Sequence, residues 1–337
     1  MADRGIDTGQ GHLPLAAEAA GASGSAGRLW VMAGVLAVLS ALFLLWGLRA
    51  PYGFILELRG GKLAALVCVG AATGAATVLF QTVAMNRLLT PGVVGFDALF
   101  VLMQTLLVAA LGGVGLAQVP EALRFVLETG VLMAAAMALF GVLLRRDAAD
   151  VTRMILTGVI LGVLLRGLSE MVQRMLDPAE FSVVQQAVVA SFNRVDGGQM
   201  AVAGAFLALA MGLALRMAPA LDVAGLGRAT ARGLGLNHDR VVMRALLLIA
   251  AMVSVSTALV GPITFLGLLA ASLARQICDT HRHAVLIPAS ALIGAVILVA
   301  GQAVFERLLG MQSALAVVVE FFGGLVFLAL VLRKVRT

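Results

Sequence analysis

The chain has 337 residues, of which 61% are hydrophobic and only 12% are charged. Its mean hydropathy is +1.04, so the composition excludes a soluble globular protein and indicates an integral membrane protein. The net charge is +6, and the arginines stand at the ends of apolar runs, mainly on one predicted side of the membrane. We interpret them as topology signals and expect no nucleic-acid partner.

The apolar runs are roughly 20 residues long, which favours transmembrane helices over the shorter alternating strands of a barrel. Residues 1–28 precede the first run, and their glycines, alanines and scattered charges predict a disordered cytoplasmic tail. Residues 29–335 are predicted to form one membrane domain. We expect an all-α, polytopic fold with about ten transmembrane helices, at 29–48, 63–85, 95–112, 122–144, 151–174, 200–220, 241–260, 263–278, 284–305 and 313–333.

The basic residues predict the orientation of these helices. If the N-terminus is cytoplasmic, the segments on that side hold about twice as many arginines and lysines as the outer segments. Both termini are therefore expected in the cytoplasm. Small residues around Gly70 and Gly74 are expected to let two helices approach closely.

The segment around 222–240 is polar and rich in arginine, and it is too polar to cross lipid. Within it, residues 227–234 predict a short helix closed by glycine. A cytoplasmic helix on a many-span protein is a natural docking surface for another protein. Because the chain has no Gly-x-x-x-x-Gly-Lys-Ser/Thr phosphate loop, the segment indicates a membrane machine whose motor lies on a separate chain.

The sequence offers no nucleophile elbow, no paired-histidine zinc helix and no recognisable acid–base constellation. We therefore expect no catalytic residues, no metal site and no enzymatic activity of this chain. Cys68 and Cys278 have no metal-ligand spacing around them, and a disulfide between them is not expected. His281 and His283 are interpreted as residues of a solvated loop in preference to metal ligands.

Several motifs resemble the iron-chelate and vitamin B12 class of ABC-importer permeases, the FecCD/BtuC-like family. They are Phe80-Gln81-Thr82, residues 86–95 (Asn-Arg-Leu-Leu-Thr-Pro-Gly-Val-Val-Gly), residues 226–236, residues 260–268 with Leu273-Ala274-Arg275, and Gly323-Gly324. The resemblance covers about residues 29–335. Gly95-Phe96-Asp97, Asp177-Pro178 and Ser191-Phe192-Asn193 are most similar to the branch that imports ferric catecholate-type siderophores such as vibriobactin, anguibactin or petrobactin.

The resemblance implies a ten-span permease in the bacterial cytoplasmic (inner) membrane. Its implied partners are a cytoplasmic ABC ATPase dimer, a substrate-binding protein on the outer side, and a second permease copy or paralogue. The resemblance also implies that the permease has no cofactor of its own, with ATP and magnesium on the ATPase and iron arriving already chelated. The segment that resembles the ATPase-coupling helix comprises Gly227, Arg228, Ala231, Arg232, Gly233, Leu234 and Gly235; an ordinary solvated loop is the alternative.

On the outer side, members of the family present basic residues to carboxylates of the binding protein. The matching positions are Arg59, Lys62 and Arg307. Lysine keeps the charge but lacks the planar fork of arginine, so Lys62 is expected to contribute less than Arg59. The alternative for each residue is anchoring of a helix end at the membrane surface.

Arg166 and Glu170 lie four residues apart in the fifth span and therefore share a helix face. A charge within the bilayer costs about 3 kcal/mol on insertion scales, so such residues usually face a cavity or a partner. We consider contact with an anionic substrate, and alternatively a structural Arg166–Glu170 pair. Gln104, Gln302 and Glu320 are further candidates for the translocation pathway.

The sequence thus predicts the membrane subunit of an ATP-driven importer that moves an iron–siderophore complex into the cytoplasm by alternating access. The same architecture with haem or a corrinoid as cargo is the nearest alternative. An ion-coupled secondary transporter and a membrane-embedded enzyme are rivals of other classes. The sequence leaves open the identity of the chelate and whether the permease pairs with itself or with a related chain.

Overall fold

A computed structural model describes residues 13–48, 50–144, 151–192, 197–307, 310, 318–325 and 328. These residues are mostly helical, and no β-strand occurs among them. The helices are α1 (Leu13–Leu45), α2 (Tyr52–Val83), α3 (Asp97–Gln118), α4 (Glu121–Leu144), α5 (Val151–Gln173), α6 (Pro178–Val188), α7 (Gly197–Arg216), α8 (Ala218–Ala224), α9 (Arg228–Gly233), α10 (His238–Val260), α11 (Leu266–Cys278) and α12 (His283–Arg307). A π-helical turn, Gly92–Phe96, leads into α3.

Eight of these helices are long and apolar enough to cross a membrane, so the all-α, polytopic membrane fold is confirmed. They are α1 to α5, α7, α10 and α12, while α11 is apolar but shorter. Within the predicted tenth span, residues 318–325 are helical. The count of ten spans and the cytoplasmic position of both termini stay predictions.

Three boundaries differ from the sequence prediction. Helix α1 begins at Leu13, inside the predicted disordered tail, because the following alanine-rich stretch has high helix propensity and Pro14 falls in the first turn. Helix α2 begins at Tyr52 and includes the charged residues that were expected to precede the span. Helix α6 was not predicted, because its 11 residues are too few for a span.

Helix α2 lies at the centre of the bundle and packs along α12. A Cβ atom added at Gly70 would lie 2.6 Å from the carbonyl oxygen of Gly294, closer than real side chains approach. Glycine is therefore required where the two backbones meet, as the small residues around Gly70 predict. Further along α2, Thr77 occupies the space that a side chain at Gly267 of α11 would need.

The short helices α8 and α9 close one end of this bundle. Helix α8 contacts the ends of α2, α7, α10 and α12, and α9 contacts α8 and α10. We call this the coupling end; it is the end that the sequence predicts to be cytoplasmic. The junctions α1–α2 and α3–α4 lie at the opposite end, which we call the outer end.

Candidate functional site

The predicted short helix at the coupling end is present as α9, and glycines at both of its ends have backbone angles that other residues rarely adopt. Gly227 precedes it with φ +95°, and Gly235 follows it with φ +83°. The N–H of Leu236 donates to the carbonyl of Ala231 (2.9 Å), and that of Gly235 donates to the carbonyl of Arg232 (2.9 Å). This double closure is the Schellman motif, which satisfies the last carbonyls of a helix.

Two arginines of α9 are held by one carboxylate of the same chain. Asp239 lies in the first turn of α10, with one oxygen 2.7 Å from Nη2 of Arg232 and the other 3.3 Å from Nη2 of Arg228. All three side chains are about half exposed. Arg228 and Arg232 therefore form part of a solvent-facing surface whose shape Asp239 fixes. The predicted coupling segment, about 222–240, contains Asp239, but its pairing with both arginines was not predicted, because it follows from how α9 folds back towards α10.

A second network ties α8 to the core of the bundle. Asp222 of α8 accepts a hydrogen bond from the backbone N–H of His283 (2.7 Å), and so it caps the first turn of α12. The same oxygen lies 2.6 Å from Nδ1 of the His283 ring. On the other side of the ring, Nε2 lies 2.6 Å from the hydroxyl oxygen of Thr82 in α2. His283 thus links three helices.

Both ring nitrogens of His283 have a polar partner. Nδ1 lies beside the Asp222 carboxylate, and Nε2 lies beside the Thr82 hydroxyl, which is also within 2.9 Å of the carbonyl of Val78. The interpretation of His283 as a solvated loop residue is wrong: its side chain is only 8% exposed.

At the outer end, Arg59 does not simply extend into solvent. Its guanidinium donates to the carbonyl oxygens of Leu44 (2.8 Å) and Trp46 (3.1 Å), and so it satisfies backbone groups at the C-terminus of α1. This contact supports the anchoring alternative. It does not exclude docking, because the Arg59 side chain stays partly exposed.

Lys62 forms an ion pair with Glu306 of α12, and Gln302 donates to the same carboxylate oxygen (2.7 Å). The Lys62 and Glu306 side chains are 14% and 17% exposed. Glu306 therefore gives Lys62 and Gln302 a structural role, in which Lys62 links α2 to α12. Neither role requires a binding protein or a substrate. The side chain of the third predicted docking residue, Arg307, lies outside the described residues.

Arg166 and Glu170 both have exposed side chains on α5. Among the described ion pairs, none joins them, so the described contacts give the structural Arg166–Glu170 pair no support. Helix α5 is exposed along most of its length in the isolated chain. Its buried side packs on α3 and on the π-helical turn, where Gly162 approaches Gly95. The charged face of α5 is therefore available to a pathway or to a second subunit.

Gln104 lines a hollow of about 220 Å³ near the outer end. Its Nε2 donates to Glu128 (3.0 Å), which also accepts from Nε of Arg124 (2.7 Å). The buried Oε1 of Gln104 has no partner in the described part of the chain. The sequence prediction did not include Glu128, although Arg124 four residues earlier on the same predicted span is a signal for a pair.

Glu320 is half-buried and lies beside Thr264 and Asp97. The hydroxyl of Thr264 donates to Asp97 (2.6 Å). The Gly95-Phe96-Asp97 motif therefore places a carboxylate where the π-helical turn meets the α10–α11 connection and the last predicted span. Glu320 joins that group, and its place in the pathway stays a prediction.

The chain is similar in sequence to a known family of transport proteins. Residues 35–333 match the FecCD transport family. The chain belongs to that family. It is 34% identical over 307 residues to the petrobactin import system permease protein YclO of Bacillus subtilis, covering 91% of this chain and 97% of the relative. It is 29% identical over 280 residues to the petrobactin import system permease protein FatC of Bacillus anthracis, covering 83% and 79%.

A solved structure of a metal-chelate type ABC transporter in an inward-facing conformation has the same fold, with a TM-score of 0.75. The identity is 20%, and the alignment covers 91% of this chain and 99% of the other. The chain is thus a multi-pass membrane permease of an ABC importer and not an enzyme, as the sequence predicts.

Proposed function

We propose that this chain is the transmembrane subunit of an importer that moves a ferric siderophore of the catecholate type into the bacterial cytoplasm. The observation that carries the proposal is the near full-length similarity to a petrobactin import permease. The resemblance of the Gly95-Phe96-Asp97 motif to the same branch also supports the proposal.

The energy for import comes from a separate ATPase dimer that binds ATP and magnesium. We infer that α9 docks on this ATPase. Its support is a short helix fixed at both ends by glycine, exposed at the coupling end, with Arg228 and Arg232 in a defined position. Movement of α9 then reaches the spans through α8, because Asp222 joins α8 to α12 and, through His283, to α2.

The docking proposal is tested by Arg232→Glu in the assembled importer. The substitution reverses a charge on the docking surface and also removes the ion pair with Asp239. The matched control is Asp239→Asn, which weakens the same ion pair and leaves the arginine in place. We expect Arg232→Glu to insert normally but to lose most substrate-stimulated ATPase activity and uptake, while Asp239→Asn keeps both. Equal losses in the two variants would show that the ion pair matters and not the docking surface.

A binding protein that delivers the chelate is expected to dock at the outer end. Arg59 and Lys62 are the proposed contacts, and both also bind within this chain, Arg59 to carbonyls at the end of α1 and Lys62 to Glu306. A second permease copy or a paralogue is expected to complete the pathway, with the exposed charged face of α5 turned towards it. An arginine such as Arg166 on that face would lower the barrier for an anionic chelate.

A corrinoid is the second candidate cargo. The vitamin B12 import permease BtuC of Klebsiella pneumoniae is 28% identical over 323 residues, covering 92% of this chain and 88% of the relative. The two cargoes are separated by the ATPase activity of the assembled importer with its binding protein. Stimulation by ferric petrobactin and not by cobalamin supports the proposal, and the reverse result contradicts it.

A further inference from the structure

An open hollow of about 480 Å³ lies at the coupling end, between the C-terminus of α2, helix α8 and the connection from α11 to α12. We call it the basic hollow. Gly225 and Leu226, which lead from α8 to α9, form one edge of it. Its polar lining includes Gln81, Asn86, Arg87, Arg275, His281 and His283.

The guanidinium of Arg275 is held in a fixed position in this hollow. Its Nη1 donates to Oε1 of Gln81 (2.5 Å). The amide of Gln81 is itself oriented, because its Nε2 donates to the carbonyl of Arg87 (2.7 Å). Since Gln81 is only 2% exposed, this support is rigid. The remaining N–H groups of Arg275 stay available to a ligand in the hollow.

The positive charge of the basic hollow is not neutralised by the described part of the chain. No carboxylate lies within 4.0 Å of the Arg87 or Arg275 guanidinium there. The lining carboxylate, Asp222, is occupied by His283. Arg87 is close enough to Arg275 to act on it as a like charge. Two unneutralised cations beside each other favour a bound anion.

The positive-inside rule alone does not account for this arrangement. An arginine kept only as a topology signal extends its head into solvent, as the exposed side chain of Arg216 does. Arg275 is half-buried and bonded to a buried glutamine, so its charge is directed into the hollow. Such a position costs desolvation, which a ligand of opposite charge offsets.

We propose that the basic hollow binds a phosphate group. Guanidinium groups present several N–H donors in a planar fork, which matches the oxygens of a phosphate better than an ammonium does. The hollow is large enough for a phosphate that carries a further group. The phosphate belongs either to a soluble cytoplasmic compound or to the headgroup of an anionic lipid. This ligand is distinct from the cargo, and the inference does not depend on which chelate is imported.

The test uses the full-length permease in phosphatidylcholine nanodiscs and measures its thermal unfolding midpoint. Inorganic phosphate is titrated at constant ionic strength in one arm, and part of the lipid is replaced by phosphatidylglycerol in the other. The main variant is Arg87→Gln, because its side chain is exposed and the fold should tolerate the change. The matched control is Arg216→Gln, an exposed arginine at the same end that does not line the hollow.

We expect wild type and Arg216→Gln to be stabilised in at least one arm. In that arm the Kd of Arg87→Gln for the phosphate or the phosphatidylglycerol should be about tenfold higher than that of wild type, which is the scale of one lost charge-assisted contact. Stabilisation by inorganic phosphate would identify a soluble ligand, and stabilisation by phosphatidylglycerol alone would identify a lipid. No stabilisation of wild type in either arm, or equal stabilisation of wild type and Arg87→Gln, would overturn the proposal.

Discussion

Replacing His283 by alanine should remove the side-chain link between α8 and α2 without unfolding the bundle. The substitution removes both ring hydrogen bonds, to Asp222 and to Thr82. The backbone N–H of residue 283 still donates to Asp222, and Thr82 still donates to the carbonyl of Val78. Because the Asp222 side chain is 34% exposed, water replaces part of what is lost. We therefore expect a destabilisation of about 1–3 kcal/mol, the usual range for unmade buried hydrogen bonds.

The measurement combines thermal unfolding of the purified permease with uptake and ATPase activity of the assembled importer. We expect a modest fall of the unfolding midpoint together with ATP hydrolysis that no longer drives uptake. Thr82→Val removes the Nε2 partner and also the hydrogen bond to the carbonyl of Val78. A double-mutant cycle with His283→Ala therefore isolates the Thr82–His283 contact. Additive effects on both stability and uptake would refute the inferred link between α2 and α8. ATP hydrolysis that still drives full uptake in His283→Ala would refute transmission through the His283 ring.

Two further substitutions test the packing of α2 on α12. Gly70→Ala would place a Cβ 2.6 Å from the Gly294 carbonyl oxygen, so it should cost about 1–3 kcal/mol of stability by overpacking. The control in a thermal melt is Gly34→Ala, whose Cβ would have no atom within 4 Å. Equal unfolding midpoints of the two variants would contradict the close approach of α2 and α12. Lys62→Met leaves the Glu306 carboxylate without its cation and should lower the free energy of unfolding by about 1–3 kcal/mol. The double variant Lys62→Met, Glu306→Gln should recover part of that loss. If Lys62→Met instead weakens only the binding protein's affinity, its role is docking and not the ion pair.

Local sequence signals predicted the parts of the structure that depend on neighbouring residues. The short helix α9 could be expected because glycine stands at both of its ends, where Gly227 and Gly235 adopt positive φ. The close approach of α2 to another helix followed from small residues at helical spacing, although the sequence does not say which helix is the partner. Helix α6 was missed because it is too short for a span, yet Glu180 accepts from the N–H of Asp177 (3.4 Å) in a capping arrangement that the sequence contains.

Contacts between distant segments could not be predicted in this way. Asp222, His283 and Thr82 lie on three helices, and the sequence offers no pattern that brings an aspartate of α8 to the start of α12. The i,i+4 spacing of Arg124 and Glu128 is visible in the sequence. The bond of Glu128 to Gln104 became evident only when α3 and α4 were placed side by side. Such pairings depend on the packing of the spans and not on their periodicity.

The central claim, import of a ferric catecholate siderophore, is tested most directly by uptake of radiolabelled iron in cells with and without this gene. Iron is offered as several defined siderophores and as ferric citrate, after redundant importers have been removed. The account predicts loss of uptake that is restricted to catecholate chelates and is restored by the wild-type gene. Unchanged uptake of every chelate would contradict it and would leave a permease of this family with another cargo.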